Sequence, residues 1–237
     1  MTYASAVLAQ QLEVFQHAVN WKTTLAKLIT PHLGSLVLEV GAGLGGTTSF
    51  LMNQTVGKWL CLEPDPEIHS VLRQRLKTGE LPACCEAFLG TVKDIAPETA
   101  FDTILYIDVL EHIPDDKGEL ERAARLLRQD GKLVIMSPTH QFLYSPFDEA
   151  IGHIRRYGME DFRSILPPAL ETQQLHYLDS AGLMASLANR FLLRQSQPTV
   201  SQIKFWDSCL IPLSRIIDPL LGYRAGKSLF YVGRRTN

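Results

Sequence analysis

The feature that most constrains this chain is the stretch LVLEVGAGLGGTTSFL, residues 36–51. A short β-rich run, Leu36 to Val40, passes directly into Gly41, Gly43, Gly45 and Gly46, and a helix is expected to begin at Thr47. Strand, glycine turn and helix in that order open a parallel α/β sheet. Glycine permits the backbone angles such a turn needs and lets the chain approach a ligand closely. The helix that follows offers unpaired N–H groups to the same point.

The rest of the chain keeps the alternation. Further strands are expected at KWLCLE (58–63), ACCEAFL (83–89), FDTILYID (101–108), GKLVIMS (131–137), ETQQLHYL (171–178) and SLFYVGR (228–234). Between them, one helix opens at Pro66 and another runs from Asp115-Asp116 to about Arg128. The turn Gln129-Asp130-Gly131 introduces the fifth strand. Residues 5–30 carry a helical pattern that Pro31 and Gly34 end. A parallel, doubly wound sheet follows, with helices on both faces. The 237 residues suit one α/β domain with a full core.

Two segments interrupt the alternation, 139–158 and 195–225. In the second, Trp206, Leu210, Leu213, Ile217 and Leu220 form an apolar helical stripe that Pro212 and Pro219 should break or kink. Inserted loops of this kind are where α/β proteins build acceptor pockets.

The glycine loop has two readings. Gly41, Gly43 and Gly46 spell G-x-G-x-x-G, which suits a dinucleotide. Glu39, Gly41, Gly43 and Gly45 spell E-x-G-x-G-x-G, which suits S-adenosylmethionine. The acids weigh toward the second. Glu39 lies near the carboxyl end of the first strand, where a carboxylate attracts a sulfonium amino acid and repels a pyrophosphate. Glu63 ends the second strand, where a carboxylate can accept from both ribose hydroxyls, a feature either cofactor would use.

The segments VLEVGAGLGGTT, LEPDPEI, FDTILYIDVLEHIPDD, LLRQDGKLVIMSP and YSPFDEAIGHIRRYG occur in this order. Together they resemble class I S-adenosylmethionine-dependent methyltransferases, in the group with a V-L-E-H-I segment after strand four. Members with a D-x-A-x-G-H-x-R-R-Y loop after strand five are the most similar, and the tail LIPLSRIIDPLL…GKSLFYVGRR looks like theirs. The resemblance covers roughly residues 15–237. It implies a Rossmann-like seven-stranded sheet, mostly parallel, whose last strand is antiparallel. It implies S-adenosyl-L-methionine as cofactor and S-adenosyl-L-homocysteine as product. By position, Glu39, Gly41, Gly43 and Gly45 would line the methionine side, Glu63 would bind the ribose, and Pro64 would pack near the adenine. Relatives often place an acid after strand three, whereas this chain has Leu89-Gly90-Thr91-Val92, so Thr91 stands in for it. Asp108 would border cofactor and acceptor. Asn20-Trp21 is a compressed form of an N-terminal Asn-aromatic pattern. Residues 1–34 are therefore read as a helical lid on a single domain, 1–237, with Trp21 on the acceptor side and both insertions beside it.

A sulfonium methyl is already activated, so its transfer is an in-line displacement governed by alignment. A base is needed only where the acceptor must lose a proton. Asp108, His112 and His153 are the catalytic candidates. His153 has a suitable ordinary pKa, and Asp148 would orient it; equally, Asp148, His153 and Arg156 could form a clamp that holds the loop. His112 reads equally as a tie for the turn after strand four. Arg155 and Arg156 present guanidinium forks suited to an anionic acceptor, with Asp148 and Tyr157 beside them, or else form salt bridges within the loop. No metal-ligand cluster is evident and none is expected.

The expected function is methyl transfer to O or N of a small metabolite, which can be anionic. A lipid or lipid-linked sugar at the membrane surface is the alternative acceptor, and a non-catalytic S-adenosylmethionine-binding module is the alternative class. Charge bears on the partner. The net charge is −2, so nucleic-acid binding is not expected. Residues 190–237 nevertheless carry eight Lys or Arg against two acids. That tail makes peripheral membrane contact through 195–225 one option, beside a solvated basic face. A dimer face remains open as well. The four cysteines read as buried thiols of a reducing compartment. MTYASAVLAQQLEV lacks a signal-peptide pattern, and no window is apolar enough to span a bilayer, so a cytoplasmic protein is expected.

Overall fold

In the computed structural model, residues 13–52, 55–188 and 199–236 are described. The helical pattern expected over 5–12, and residues 195–198 of the second insertion, lie outside them.

Seven strands form one sheet in the order β3-β2-β1-β4-β5-β7-β6. They are β1 (Leu36–Val40), β2 (Lys58–Glu63), β3 (Cys85–Leu89), β4 (Phe101–Ile107), β5 (Leu127–Pro138), β6 (Leu170–Leu178) and β7 (Ser228–Arg235). The first five pair in parallel. β7 enters antiparallel between β5 and β6. The strand order reverses between β1 and β4, and there the carboxyl ends open a crevice.

Both faces of the central strands are covered, so neighbouring residues alternate between two cores. On one face Val37, Leu105, Val134, Met136, Phe230 and Val232 pack with Trp21, Leu25 and Ile29 of α1 (Val19–Ile29). On the other, Leu38, Ile104, Tyr106, Leu133, Ile135 and Tyr231 pack with Leu120, Ala123 and Ala124, which lie on the helix Asp116–Leu126.

The elements depart from expectation in instructive ways. The helix after the glycine loop, α2 (Thr48–Leu51), is a single turn. α3 (Pro66–Lys77) starts at the expected proline, with Asp65 accepting from the N–H groups of Glu67 and Ile68. α4 (Asp116–Leu126) stops before Arg128 because Leu127 already pairs with Phe101 in β5. The pairing then jumps to Thr103↔Lys132, so the Gln129-Asp130-Gly131 turn survives as a bulge, with Asp130 at φ 62°.

The first insertion contains α5 (Pro146–Ala150) and is followed by α6 (Met159–Ser164). After β6 comes α7 (Ser180–Ala188). The described part of the second insertion forms α8 (Val200–Phe205), a π-helical turn at Trp206–Leu210, and α9 (Ile211–Leu220). Pro212 does not break this run. Its missing N–H falls at the start of α9, and the N–H of Ile211 reaches back five residues to Trp206, so the widened turn absorbs the mismatch. Pro219 is carried inside α9.

The expected apolar stripe is only partly buried. Trp206 faces inward, while Leu213 and Leu220 are exposed. The inward positions are instead Ile203, Asp207, Ile211, Ser214 and Asp218. The cysteines also differ from expectation: Cys61 and Cys85 are buried, but Cys84 is half-buried and Cys209 exposed. Among the described residues no helix is long and apolar enough to cross a membrane.

Candidate active site

The carboxyl ends of β1, β2 and β4 bring the candidates together. Gly41, Gly43 and Gly45 all adopt left-handed backbone angles, φ 66°, 56° and 71°. A Cβ on Gly41 would stand 2.6 Å from a methyl of Val109, so the turn also lacks room for a side chain there.

Two buried acids support this loop. Glu39 accepts from the Thr48 hydroxyl at 2.7 Å and the Trp59 indole at 2.9 Å. Burial pushes its carboxyl up to about 7, opposed by those two bonds. Glu63 accepts from the Gly43 N–H and from the Asp65 N–H, each at 2.9 Å. Burial raises its pKa too, and the two N–H groups oppose the rise. Glu63 thus ties the glycine loop to the end of β2, with exposed Pro64 following.

Thr91 is exposed, and its hydroxyl and N–H both donate to Asp94 as a small capping box. Asp94 thus holds the Thr91 side chain that was expected to stand in for the missing acid. Lys22 was missed altogether. Its ammonium is buried and lies 3.5 Å from where a Cβ on Gly46 would stand, over the ring of Phe50. Burial, then Arg75, lowers its pKa, while Asp207 opposes the fall. A lysine on an apolar helix face carries no signal of this in sequence, because only the contact between α1 and α2 creates it.

At the end of β4, Asp108 takes φ 53°. It is open to solvent yet surrounded by protein, and burial pushes its carboxyl up to about 6 against the charges of His153, Lys227 and Arg156. The 139–158 loop folds back onto this corner: Ile154 N–H donates to the Glu111 carbonyl and Tyr157 N–H to that of Pro138.

Asp148 is the hub of that loop. It accepts from Ser145, from His153 Nδ1 at 2.7 Å, and from both sides of the Arg156 fork at 2.8 and 3.1 Å. Burial would raise its pKa, but the bonds from His153 and Arg156 outweigh that and hold it far below the usual carboxylate range. The clamp of Asp148, His153 and Arg156 is therefore built. His153 also turns Nε2 toward Glu111 Oε1, 3.6 Å away. Burial, then His153, pushes the neighbouring His112 down to about 4.

Four acceptor-side candidates are engaged within the protein itself. Arg156 closes its fork on Asp148, and Arg155 bonds to Asp116 and to the Pro114 carbonyl. Neither guanidinium is presented to an acceptor, because buried carboxylates claim both. Tyr157 is buried, with its hydroxyl 2.8 Å from Asp116, and so forms no crevice wall. Trp21 is buried against Trp206, 5.7 Å between ring centroids. It lines a cavity of about 110 Å³ away from the glycine loop, whose polar residues Asp179, Ser214 and Asp218 are already bonded to one another or to backbone.

The structure also brings together side chains that lie far apart in the sequence. Glu111, His112 and His153 each bring a donor atom within 4.8 Å of the other two. The 40 residues between His112 and His153 hide this grouping from any spacing rule.

Comparison with known proteins agrees with this geometry. Residues 38–135 match the family model described as a methyltransferase domain. Over 162 residues the chain is 28% identical to a ubiquinone biosynthesis O-methyltransferase from Xanthomonas oryzae pv. oryzae, covering 64% of this chain and 66% of that one. The namesake from Xanthomonas euvesicatoria pv. vesicatoria is 29% identical over 63% of each. The match thus spans just under two thirds of those relatives' length.

Among solved structures, geranyl diphosphate methyltransferase in complex with SAM superposes with a TM-score of 0.61 at 13% identity, over 91% of this chain and 85% of that one. The N-methyltransferase NodS from Bradyrhizobium japonicum WM9 gives 0.55 at 16%, over 96% and 98%. The [4+2]-cyclase SpnF gives 0.61 at 14%, over 90% and 80%, so this fold also serves other chemistry. The chain has the Rossmann-like fold of these methyltransferase structures, and residues 38–135 are similar to a methyltransferase domain.

Proposed function

We propose that the chain transfers a methyl group from S-adenosylmethionine to an oxygen or nitrogen of a small acceptor held between the glycine loop and the 139–158 loop. The observation that carries the reading is the convergence of two buried carboxylates, Glu39 and Glu63, on a glycine turn with no space for a side chain at Gly41. The residues fit the cofactor. Glu39 would hold the methionine ammonium, Lys22 the methionine carboxylate, and Glu63 the ribose hydroxyls. When bound, the cofactor supplies a methyl on a sulfonium, which needs no further activation. The chain's own residues would then align the acceptor and take its proton where one must leave. Asp108 and His153 Nε2 border that space. The names of the curated relatives favour oxygen as the acceptor atom.

A second reading, a lipid or lipid-linked acceptor, is favoured by the outward face of α8 and α9. Phe205, Leu213, Ile216 and Leu220 are exposed there beside Lys204 and Arg224.

The test is transfer of labelled methyl to fractionated host extract, with Glu63→Ala as control. Removing Glu63 strips a charged hydrogen-bond acceptor, worth about 1.5–3 kcal/mol, and should weaken cofactor binding by at least tenfold. Label in the aqueous small-molecule fraction supports the first reading, and label in the organic fraction the second. Cofactor binding without label in any fraction would move the chain to a non-catalytic module.

A further inference from the structure

Glu111 poses a problem that the methyl-transfer reading does not solve. Its side chain is fully buried, and one oxygen accepts from the Ser137 hydroxyl at 3.1 Å. The other, Oε1, is buried without a hydrogen-bond partner. An orphaned carboxylate oxygen in the interior is costly, and such an atom calls for a proton, a water or a cation.

What faces it are two imidazoles. His153 Nε2 lies 3.6 Å from Oε1, and the rings of His112 and His153 meet edge to face with centroids 4.7 Å apart. Their tautomers follow from their other contacts. His153 Nδ1 sits 2.7 Å from the Asp148 carboxylate, and His112 Nδ1 sits 3.1 Å from the Gly152 carbonyl. Both partners can only accept, so each Nδ1 must carry the hydrogen. In the neutral ring each Nε2 then keeps its lone pair. Asp148 is in turn held by Ser145 and Arg156. Carboxylate to imidazole N–H, with the opposite nitrogen free, is how proteins orient histidines toward a metal.

We propose that Glu111, His112 and His153 form a binding site for a divalent transition-metal ion. Two imidazoles and one carboxylate suit zinc, cobalt, nickel or iron better than magnesium or calcium, which prefer all-oxygen shells. Glu111 is buried and both histidines are partly exposed, so the ligands approach from the protein side and the remaining coordination positions open outward. The donor atoms would draw together on binding, since metal–ligand bonds of about 2.0–2.2 Å need them closer than they stand now. Asp108, three residues before Glu111, is the next acidic group toward the crevice. An acceptor hydroxyl could occupy an open position. That role rests on the methyl-transfer reading, but occupancy by the metal does not. With the ion bound, His153 Nε2 is a ligand, and Asp108 alone remains to take a proton.

The test uses the full chain, stripped of metal and without cofactor, titrated with cobalt(II). One equivalent should bind and give visible ligand-field absorption. Glu111→Gln, His112→Gln and His153→Gln should each weaken binding by at least tenfold, and Asp148→Asn, which loosens the loop that orients His153, by about tenfold. In case a variant fails to fold, paramagnetic broadening in the wild-type chain should fall on the ring signals of both histidines. No stoichiometric cobalt binding, or broadening confined to other histidines, would overturn the site. Cofactor affinity, measured separately on the metal-free chain, tests the methyl-transfer reading and leaves this one untouched.

Discussion

At the scale of single residues, Glu39 shows how a buried acid costs stability once it ionises. Its carboxyl titrates near 7 because burial opposes the charge more than Thr48 and Trp59 support it. A raised acid favours the folded state most below its unfolded pKa of about 4.3, and that advantage is lost as pH climbs through 7. Glutamine keeps an oxygen for both donors without the charge. Glu39→Gln should therefore be more stable than the wild type at pH 8, by on the order of 2 kcal/mol, and no more stable near pH 4. Urea unfolding at the two pH values checks this, and an equal difference at both would show that burial of the charge is not the cause. The same variant should bind the proposed cofactor less well, since the ammonium it would meet loses its counter-charge.

At the scale of elements, the second insertion works by placing acids at the starts of distant helices. α1 begins after Ala18, which has no side chain able to cap it. Asp207 supplies the cap from the π-helical turn, accepting from the N–H of Asn20 at 2.9 Å and of Trp21 at 2.8 Å. Asp218 does the same for α7, accepting from the N–H groups of Asp179 and Ser180. The π turn widens the helix just where Asp207 must reach α1. Asp207→Ala should cost about 1–2 kcal/mol, as loss of a buried cap does. It should also raise hydrogen exchange in the first turn of α1 more than in the sheet. Uniform exchange throughout would mean that Asp207 does not hold this helix.

At the scale of the whole molecule, those inward acids leave an unusual exterior. Ile216 is 65% exposed and Leu220 81%. With Asp207 and Asp218 buried as caps, the exposed charges of 199–225 are Lys204, Arg215 and Arg224, all basic. Apolar residues among cations suit the interface of an anionic bilayer. The protein should float with phosphatidylserine vesicles at low salt, less so at high salt, and Ile216→Glu with Leu220→Glu should abolish it. Concentration-dependent dimerisation in place of flotation would assign the face to a second copy instead.

The sequence by itself determined the alternation of strands and helices, the glycine turn and the acids at 39 and 63. These are local, because strand period, turn chemistry and helix starts are set by neighbours along the chain. The antiparallel last strand came with the resemblance rather than with any pattern in β7. Long-range pairing decided what was misread. Arg155 and Tyr157 looked like acceptor contacts until Asp116, carried in by another segment, claimed them, while Arg156 took the alternative the sequence had left open and closed on Asp148 of its own loop. Lys22 reached the glycine loop, and His153 reached Glu111 and His112, only by the docking of separate elements. Polar side chains take the partners that burial leaves them, and only the tertiary structure decides which those are.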